Sequence, residues 1–412
     1  MKRGALGLLG LCVAGALFAA CSSSSGAGGF AGSAGTGAAG AGGTAGGAGS
    51  GGLPGGGTGG GLILDSSSDT AAGGGSSCAS GPTEDKDQDG FTKQDGDCND
   101  CDPNVNPGAI DVLHTDDGGA WGDEDCDGKP GGTQATGCDD TIGLDDLDPM
   151  NAAKAIELCQ VATGKKPGVI EAKWVRADGA AHTPGTEVGI QPDFGPNVHV
   201  QGGKRMLSIS SGYARTPTQT PNCGSNSCDT TGIGVAPTGF PQDTSGCPGD
   251  TEINDDVGLE LKLRAPTNAT GYSFSFRFYS FEYPEWVCTS YNDQFIALVN
   301  PAPAGASNGN ICFDSKKNPV TVNVGFFDVC TGCPSGDTEL LGTGFDTWDD
   351  AGATVWLMTQ APVQGGQEFT IRFAIWDTGD QAWDSTALID NFQWIANGGT
   401  IDVGTTPIPV PK

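Results

Sequence analysis

Two stretches of this sequence set carboxylates at alternate positions ahead of a glycine. They are Asp85-Lys86-Asp87-Gln88-Asp89-Gly90 and, 38 residues later, Asp123-Glu124-Asp125-Cys126-Asp127-Gly128. Between them runs Asp97-Cys98-Asn99-Asp100-Cys101-Asp102-Pro103. Alternate oxygens converging on a tight glycine turn suit a hard cation that takes six to eight oxygen ligands; without the cation they would repel one another. The expected ligands are Asp85, Asp87, Asp89, Asp97, Asn99, Asp102, Asp123, Asp125 and Asp127. The frame is not an EF-hand: the twelfth position counted from Asp85 is Gly96 rather than a bidentate glutamate. Copper would want imidazole or sulfur, and His114 and Trp121 are the nearby candidates, so calcium is the expected ion.

A second constellation lies far downstream. Residues 280–295 place Glu282, Tyr283, Glu285, Asn292 and Asp293 after a run of alternating phenylalanines, and residues 375–392 supply Asp377, Asp380, Asp384, Ser385 and Asp390 after another alternating run. Glu282, Asp293, Asp377 and Asp384 could form a second metal or ligand site joining two loops. Trp286, Trp376 and Trp383 could instead stack on sugar faces while the acids bond hydroxyls. Paired carboxylates would also serve glycoside hydrolysis. The plain alternative is that the aromatics fill a core and the acids hold turns.

Other chemistry is poorly supported. The three histidines stand without a G-x-S-x-G elbow or an H-E-x-x-H helix, so the expectation is a protein that is not an enzyme. A net charge of −30 excludes nucleic acid as a partner, because no basic patch overcomes the field. Between Glu84 and Asp148 lie 20 acids and 3 lysines, so more than half of that charge sits in one segment.

The elements that must carry these residues follow from the rest of the chain. Lys2 and Arg3 precede an apolar run from Ala5 to Phe18, then Ala19, Ala20 and Cys21, which reads as a signal peptide. Leu17-Phe18-Ala19-Ala20-Cys21 resembles the bacterial lipobox, with Phe18 in place of a small aliphatic residue. The resemblance implies lipidation of Cys21, attachment to a membrane through that lipid and, with Ser22 following, an outer-membrane or cell-surface location. Residues 26–61 hold 20 Gly and 8 Ala and cannot bury enough apolar surface to offset their ordering entropy, so they read as a disordered tether.

The acidic run, with Asp97-Cys98, Asp102-Pro103, Pro107-Gly108-Ala109 and Asp123 to Gly128, resembles the MopE-type metal-binding motif, named after a copper-binding protein, and thrombospondin type-3 calcium repeats. The Ser280-Phe281-Glu282-Tyr283-Pro284 run, Tyr291-Asn292-Asp293 and the late Asp377/Asp380/Asp384-Ser385 element resemble the choice-of-anchor L domain, over about Cys138 to Ile395. That resemblance implies an extracytoplasmic domain with no established activity.

Period-two patterns predict the fold. Val257, Leu259, Leu261 and Leu263 alternate with polar residues or glycine, Phe274, Phe276 and Phe278 and then Val320, Val322 and Val324 follow a period of two, and Phe369, Ile371, Phe373 and Ile375 alternate with Thr370, Arg372 and Ala374. Each run should bury one face and wet the other, in an antiparallel β-sandwich or jelly roll. One helix is expected after Asp148-Pro149, with Ala152, Ala155, Ile156 and Cys159 on one face. Thirteen of the 15 cysteines follow Cys21, an odd number, so at least one is free or pairs between chains. Short-range disulfide candidates are Cys138 with Cys159, Cys223 with Cys228 and Cys330 with Cys333, with Cys78, Cys98, Cys101 and Cys126 in the acidic segment; the sequence does not fix the connectivity.

The expected organisation is therefore a signal peptide (1–20), a lipidated tether (21–77), an acidic metal-binding module (78–137), a choice-of-anchor L-like β-sandwich (138–397) and a tail (398–412). The expected function is a surface lipoprotein that binds Ca²⁺ and presents the sandwich for adhesion, to surface glycans or another envelope protein. The alternative is a carbohydrate-binding or carbohydrate-active protein.

Overall fold

The computed structural model describes residues 79–114, 119–131, 137–348, 350–396 and 398–408. The signal peptide, Cys21, the glycine-rich tether and Cys78 lie outside the described residues. Among those described, no helix is long and apolar enough to cross a membrane.

Among the described residues, thirteen strands build the main body as two antiparallel sheets. They are β1 (Gly168–Val175), β2 (Val188–Gln191), β3 (Met206–Ser210), β4 (Ile253–Arg264), β5 (Ala269–Ser280), β6 (Gln294–Asn300), β7 (Val320–Thr321), β8 (Phe327–Cys330), β9 (Gly352–Thr354), β10 (Leu357–Pro362), β11 (Glu368–Thr378), β12 (Ser385–Ala396) and β13 (Gly404–Pro407). One sheet runs β1-β4-β11-β6-β7; the other runs β8-β9-β5-β12-β3-β2, with β10 pairing both β5 and β13. The expected mainly-β sandwich is what the chain forms. The segment expected as a tail supplies β13, whose Thr405 lies opposite Thr359.

The sheets face each other across one core. Leu259, Leu261, Phe295, Ile371 and Phe373 come from the first sheet; Phe274, Phe276, Phe278, Leu357 and Ile389 come from the second. Phe274 meets Phe373 edge-on at 5.0 Å and Phe276 meets Phe295 at 5.1 Å, so rings of β5 reach strands of the opposite sheet. Burying each such side chain is worth about 1.5–3 kcal/mol.

Two expectations about these strands are corrected. β5 is buried on both faces: Ser275 and Arg277 are as enclosed as the phenylalanines they alternate with. The reason is a second apolar cluster over its outer face, with Phe194, Tyr279, Phe281, Phe345 and Leu388. Arg277 pairs there with Glu339 at 2.7 Å and lies over the Tyr279 ring. The Val320–Val324 alternation yields only the two-residue β7, after which the chain turns, although Val322 and Val324 stay buried.

The helix is present but short, Pro149–Lys154, capped by the Asp148 carboxylate accepting from Met150 N–H. Ala152, Ala155 and Ile156 are buried as expected, but Glu157 takes a positive φ of 67° and ends any continuation before Cys159. Disulfides join Cys138 to Cys159, Cys223 to Cys228 and Cys330 to Cys333, as expected, and also Cys98 to Cys126 and Cys247 to Cys288. Cys101 is disulfide-bonded too, and the free cysteine among the described residues is Cys312, buried.

The acidic segment is mostly turns, and it docks on the β4–β5 hairpin. Thr267 donates from its hydroxyl to Asn106 Oδ1 at 2.8 Å, and Asn268 exchanges two hydrogen bonds with the Ile110 backbone. This fixes the module's carboxylates relative to the sandwich.

Candidate functional site

The module's acids divide their oxygens between two tasks. One oxygen of each accepts a backbone N–H: Asp85 from Gly90 at 3.0 Å, Asp87 from Asp89 at 3.3 Å, Asp89 from Phe91 at 2.7 Å, Asp97 from Asn99 at 2.8 Å and Asp100 from Lys86 at 2.9 Å. These bonds shape the loop and aim the side chains. The glycine of the frame is needed at Gly90, where φ is +94°. The other oxygen of each, Asp85 Oδ1 and Oδ2 of Asp87, Asp89, Asp97 and Asp100, is buried with no hydrogen-bond partner.

Those residues form two triads with ligand atoms within 4.8 Å of one another: Asp85, Asp87 and Asp100, and Asp87, Asp89 and Asp97. Asp87 belongs to both. Loss of water and then mutual repulsion raise the carboxyls of Asp87 and Asp97, and burial pushes Asp89 up to about 6. Asp100 goes the other way, held down by the Ser80 hydroxyl and the Lys86 N–H beside it. A cation in each triad would remove the repulsion and use every inward oxygen.

A third triad joins Asp111, Asp123 and Asp125. Asp123 accepts from Gly128 N–H at 3.2 Å and Asp125 from Asp127 N–H at 3.0 Å, repeating the first loop's geometry. Burial raises Asp125 to about 6 and also raises Asp111. The Cys98–Cys126 disulfide ties the two loops together.

Of the residues expected from sequence, Asp85, Asp87, Asp89, Asp97, Asp123 and Asp125 stand in these triads. Asn99 supplies its N–H to Asp97. Asp102 accepts from Asn104 and Asp127 pairs with Lys129, and neither enters a triad among the described residues. Sequence reasoning missed Asp100 and Asp111. Asp100 is legible as the acid three residues after Asp97; Asp111 follows the Pro107-Gly108 turn outside any repeated frame.

The four downstream acids are brought together as well. Glu282 follows β5, Asp293 precedes β6, Asp377 sits near the end of β11 beyond a register shift, and Asp384 precedes β12. All four are buried. Asp293 accepts from the Ser385 hydroxyl at 2.6 Å and from Thr378 N–H at 3.1 Å, and Asp384 accepts from Cys228 N–H. Both oxygens of Asp377 are buried without a hydrogen-bond partner. Burial and then the neighbouring acids raise Glu282 and Asp377 well above the carboxylate range, and burial pushes Asp293 up to about 7. They do not close into a three-oxygen cluster of the kind the module builds.

The tryptophans separate. Trp376 is fully buried, with Nε1 donating to Thr378, so it offers no sugar-stacking face. Trp286 and Trp383 meet at a cavity lined also by Glu282, Tyr291, Asp380 and Ala382.

Residues 209–392 match the family model described as the Choice-of-anchor L domain, a narrower span than the resemblance implied. Among solved structures, a carbohydrate-binding module specific for non-crystalline cellulose aligns at 10% identity, over 55% of this chain and 88% of its own, with a TM-score of 0.24. No curated protein matches the chain.

Proposed function

We propose that this chain, built around a Choice-of-anchor L domain, is a cell-surface protein whose acidic module loads Ca²⁺ and whose sandwich meets a partner outside the cell. The observation that carries the calcium reading is the set of five inward carboxylate oxygens on Asp85, Asp87, Asp89, Asp97 and Asp100 that lack hydrogen-bond partners. The triads hold only carboxylates, and the nearby cysteines Cys98, Cys101 and Cys126 are disulfide-bonded. His114 is engaged by Glu124 at 2.6 Å. An all-oxygen donor set favours Ca²⁺ over copper or zinc.

Calcium would then stiffen the module against the β4–β5 hairpin. Lipidation at Cys21 would hold the chain to the membrane and leave the sandwich free for adhesion or contact with another envelope component. Titration calorimetry of the EDTA-treated protein tests the calcium reading. Saturable Ca²⁺ uptake with a rise in melting temperature supports it, with Asp87→Asn weakening the two sites that share this residue. No heat of binding and an unchanged melting curve would overturn it.

A further inference from the structure

Between the β5–β6 connection and the loop before β12 lies a cavity of about 120 Å³ lined by Glu282, Trp286, Tyr291, Asp380, Ala382 and Trp383. Its aromatic walls stand nearly at right angles. Trp286 meets Trp383 with centroids 5.2 Å apart and planes at 78°, and meets Tyr291 at 5.2 Å and 88°. Trp383 keeps its ring there from a backbone φ of +70°, a conformation costly for a bulky residue. Perpendicular rings form the corner of a box, whereas a sugar stacks on a flat, open face.

The acids complete the box. Glu282 is 1% exposed, and its Oε2 accepts a long hydrogen bond of 3.3 Å from Asp293 N–H. Among the described residues the hydrogen bond to the Glu282 carboxyl goes to Oε2, and none reaches Oε1. Asp380 lines the same cavity, and Asp293 lies directly behind Glu282. Aromatic faces and carboxylates both favour a cation.

We propose that this cavity binds a primary alkylammonium group, of the kind carried by a lysine side chain. The methylenes would lie against Trp286 and Trp383, and the ammonium would donate to Glu282 Oε1 and Asp380. An ammonium beside Glu282 favours the ionised carboxylate, offsetting the burial that otherwise disfavours it. A quaternary ammonium has no N–H to give Glu282. A metal ion would meet two carboxylates and three rings that cannot ligate it. The assignment is independent of calcium in the acidic module.

The test is tryptophan fluorescence and calorimetry on the full chain in saturating calcium, with n-butylammonium as the probe. Saturable binding is expected, with n-butanol and tetramethylammonium weaker by about tenfold or more, the size of one desolvated cation contact. Trp383→Ala and Asp380→Asn should each weaken n-butylammonium similarly. Asp380 is only partly buried, so its variant reports on binding even if changes at Glu282 disturb folding. Equal binding of n-butanol would make the cavity merely apolar and overturn the proposal. So would tighter binding of tetramethylammonium, binding of glucosamine without n-butylammonium, or no saturation.

Discussion

Raising the pH from 5 to 8 in the absence of divalent cations should destabilise this protein, opposite to what ion-paired carboxylates produce. Asp293 illustrates the magnitude. Its carboxyl is pushed from 3.8 to about 7 by burial, against favourable bonds from Ser385 and Thr378. The folded chain therefore holds a proton that the unfolded chain releases near its ordinary value. That stabilisation is complete below the unfolded value and is lost as pH rises through the folded one. About two pH units separate the start of the series from the folded value. At about 1.4 kcal/mol each, this group alone loses roughly 3 kcal/mol.

The effect extends to alkaline pH through a second buried pair, Glu157 and Asp390, raised to about 9 and about 7 mainly by burial. Glu187 and Glu368 are shifted downward, so their contributions are lost on the acid side instead. Urea denaturation in EDTA at pH 5, 6, 7 and 8 reads the result. The unfolding free energy should fall by several kcal/mol across the series, and Asp293→Asn should flatten part of the slope. A wild-type stability that is level or rises with pH would refute the reasoning.

Three further outcomes follow from single contacts. Glu339→Gln leaves the fully buried Arg277 without its 2.7 Å partner and should cost about 3 kcal/mol, measured by chemical denaturation. Replacing Cys98 and Cys126 by alanine opens a 28-residue separation, which should destabilise the module by about 3–4 kcal/mol and weaken calcium uptake, both measurable by calorimetry. Cys312, buried with its thiol pushed up to about 12, should not react with an aromatic disulfide reagent until denaturant is added.

The strands are most legible where one face of a run meets the opposite sheet. Leu259, Leu261 and Leu263 pair in register with Phe373, Ile371 and Phe369, and both runs alternate as a half-buried strand should. Alternation misleads at β5, because Tyr279 packs with Leu340 and Phe345 and Arg277 pairs with Glu339, all remote in sequence. Local pattern carries no signal for such a cover.

The same limit applies to the acids. The alternating frames announce Asp85, Asp87, Asp89, Asp123 and Asp125, since each frame is a single turn of chain. Asp111 enters its triad only because the fold brings it beside Asp123 and Asp125. Trp376 reads as a surface aromatic beside Asp377, but its place on β11 turns it into the interior with Ile253 and Ile296.

A crystal structure of the protein grown with calcium tests the calcium reading most directly. Ions are expected between Asp85, Asp87 and Asp100 and between Asp87, Asp89 and Asp97, with carboxylate oxygens at about 2.3–2.6 Å. Water molecules in those positions at saturating calcium, with the same oxygens still unpaired by any ion, would contradict it.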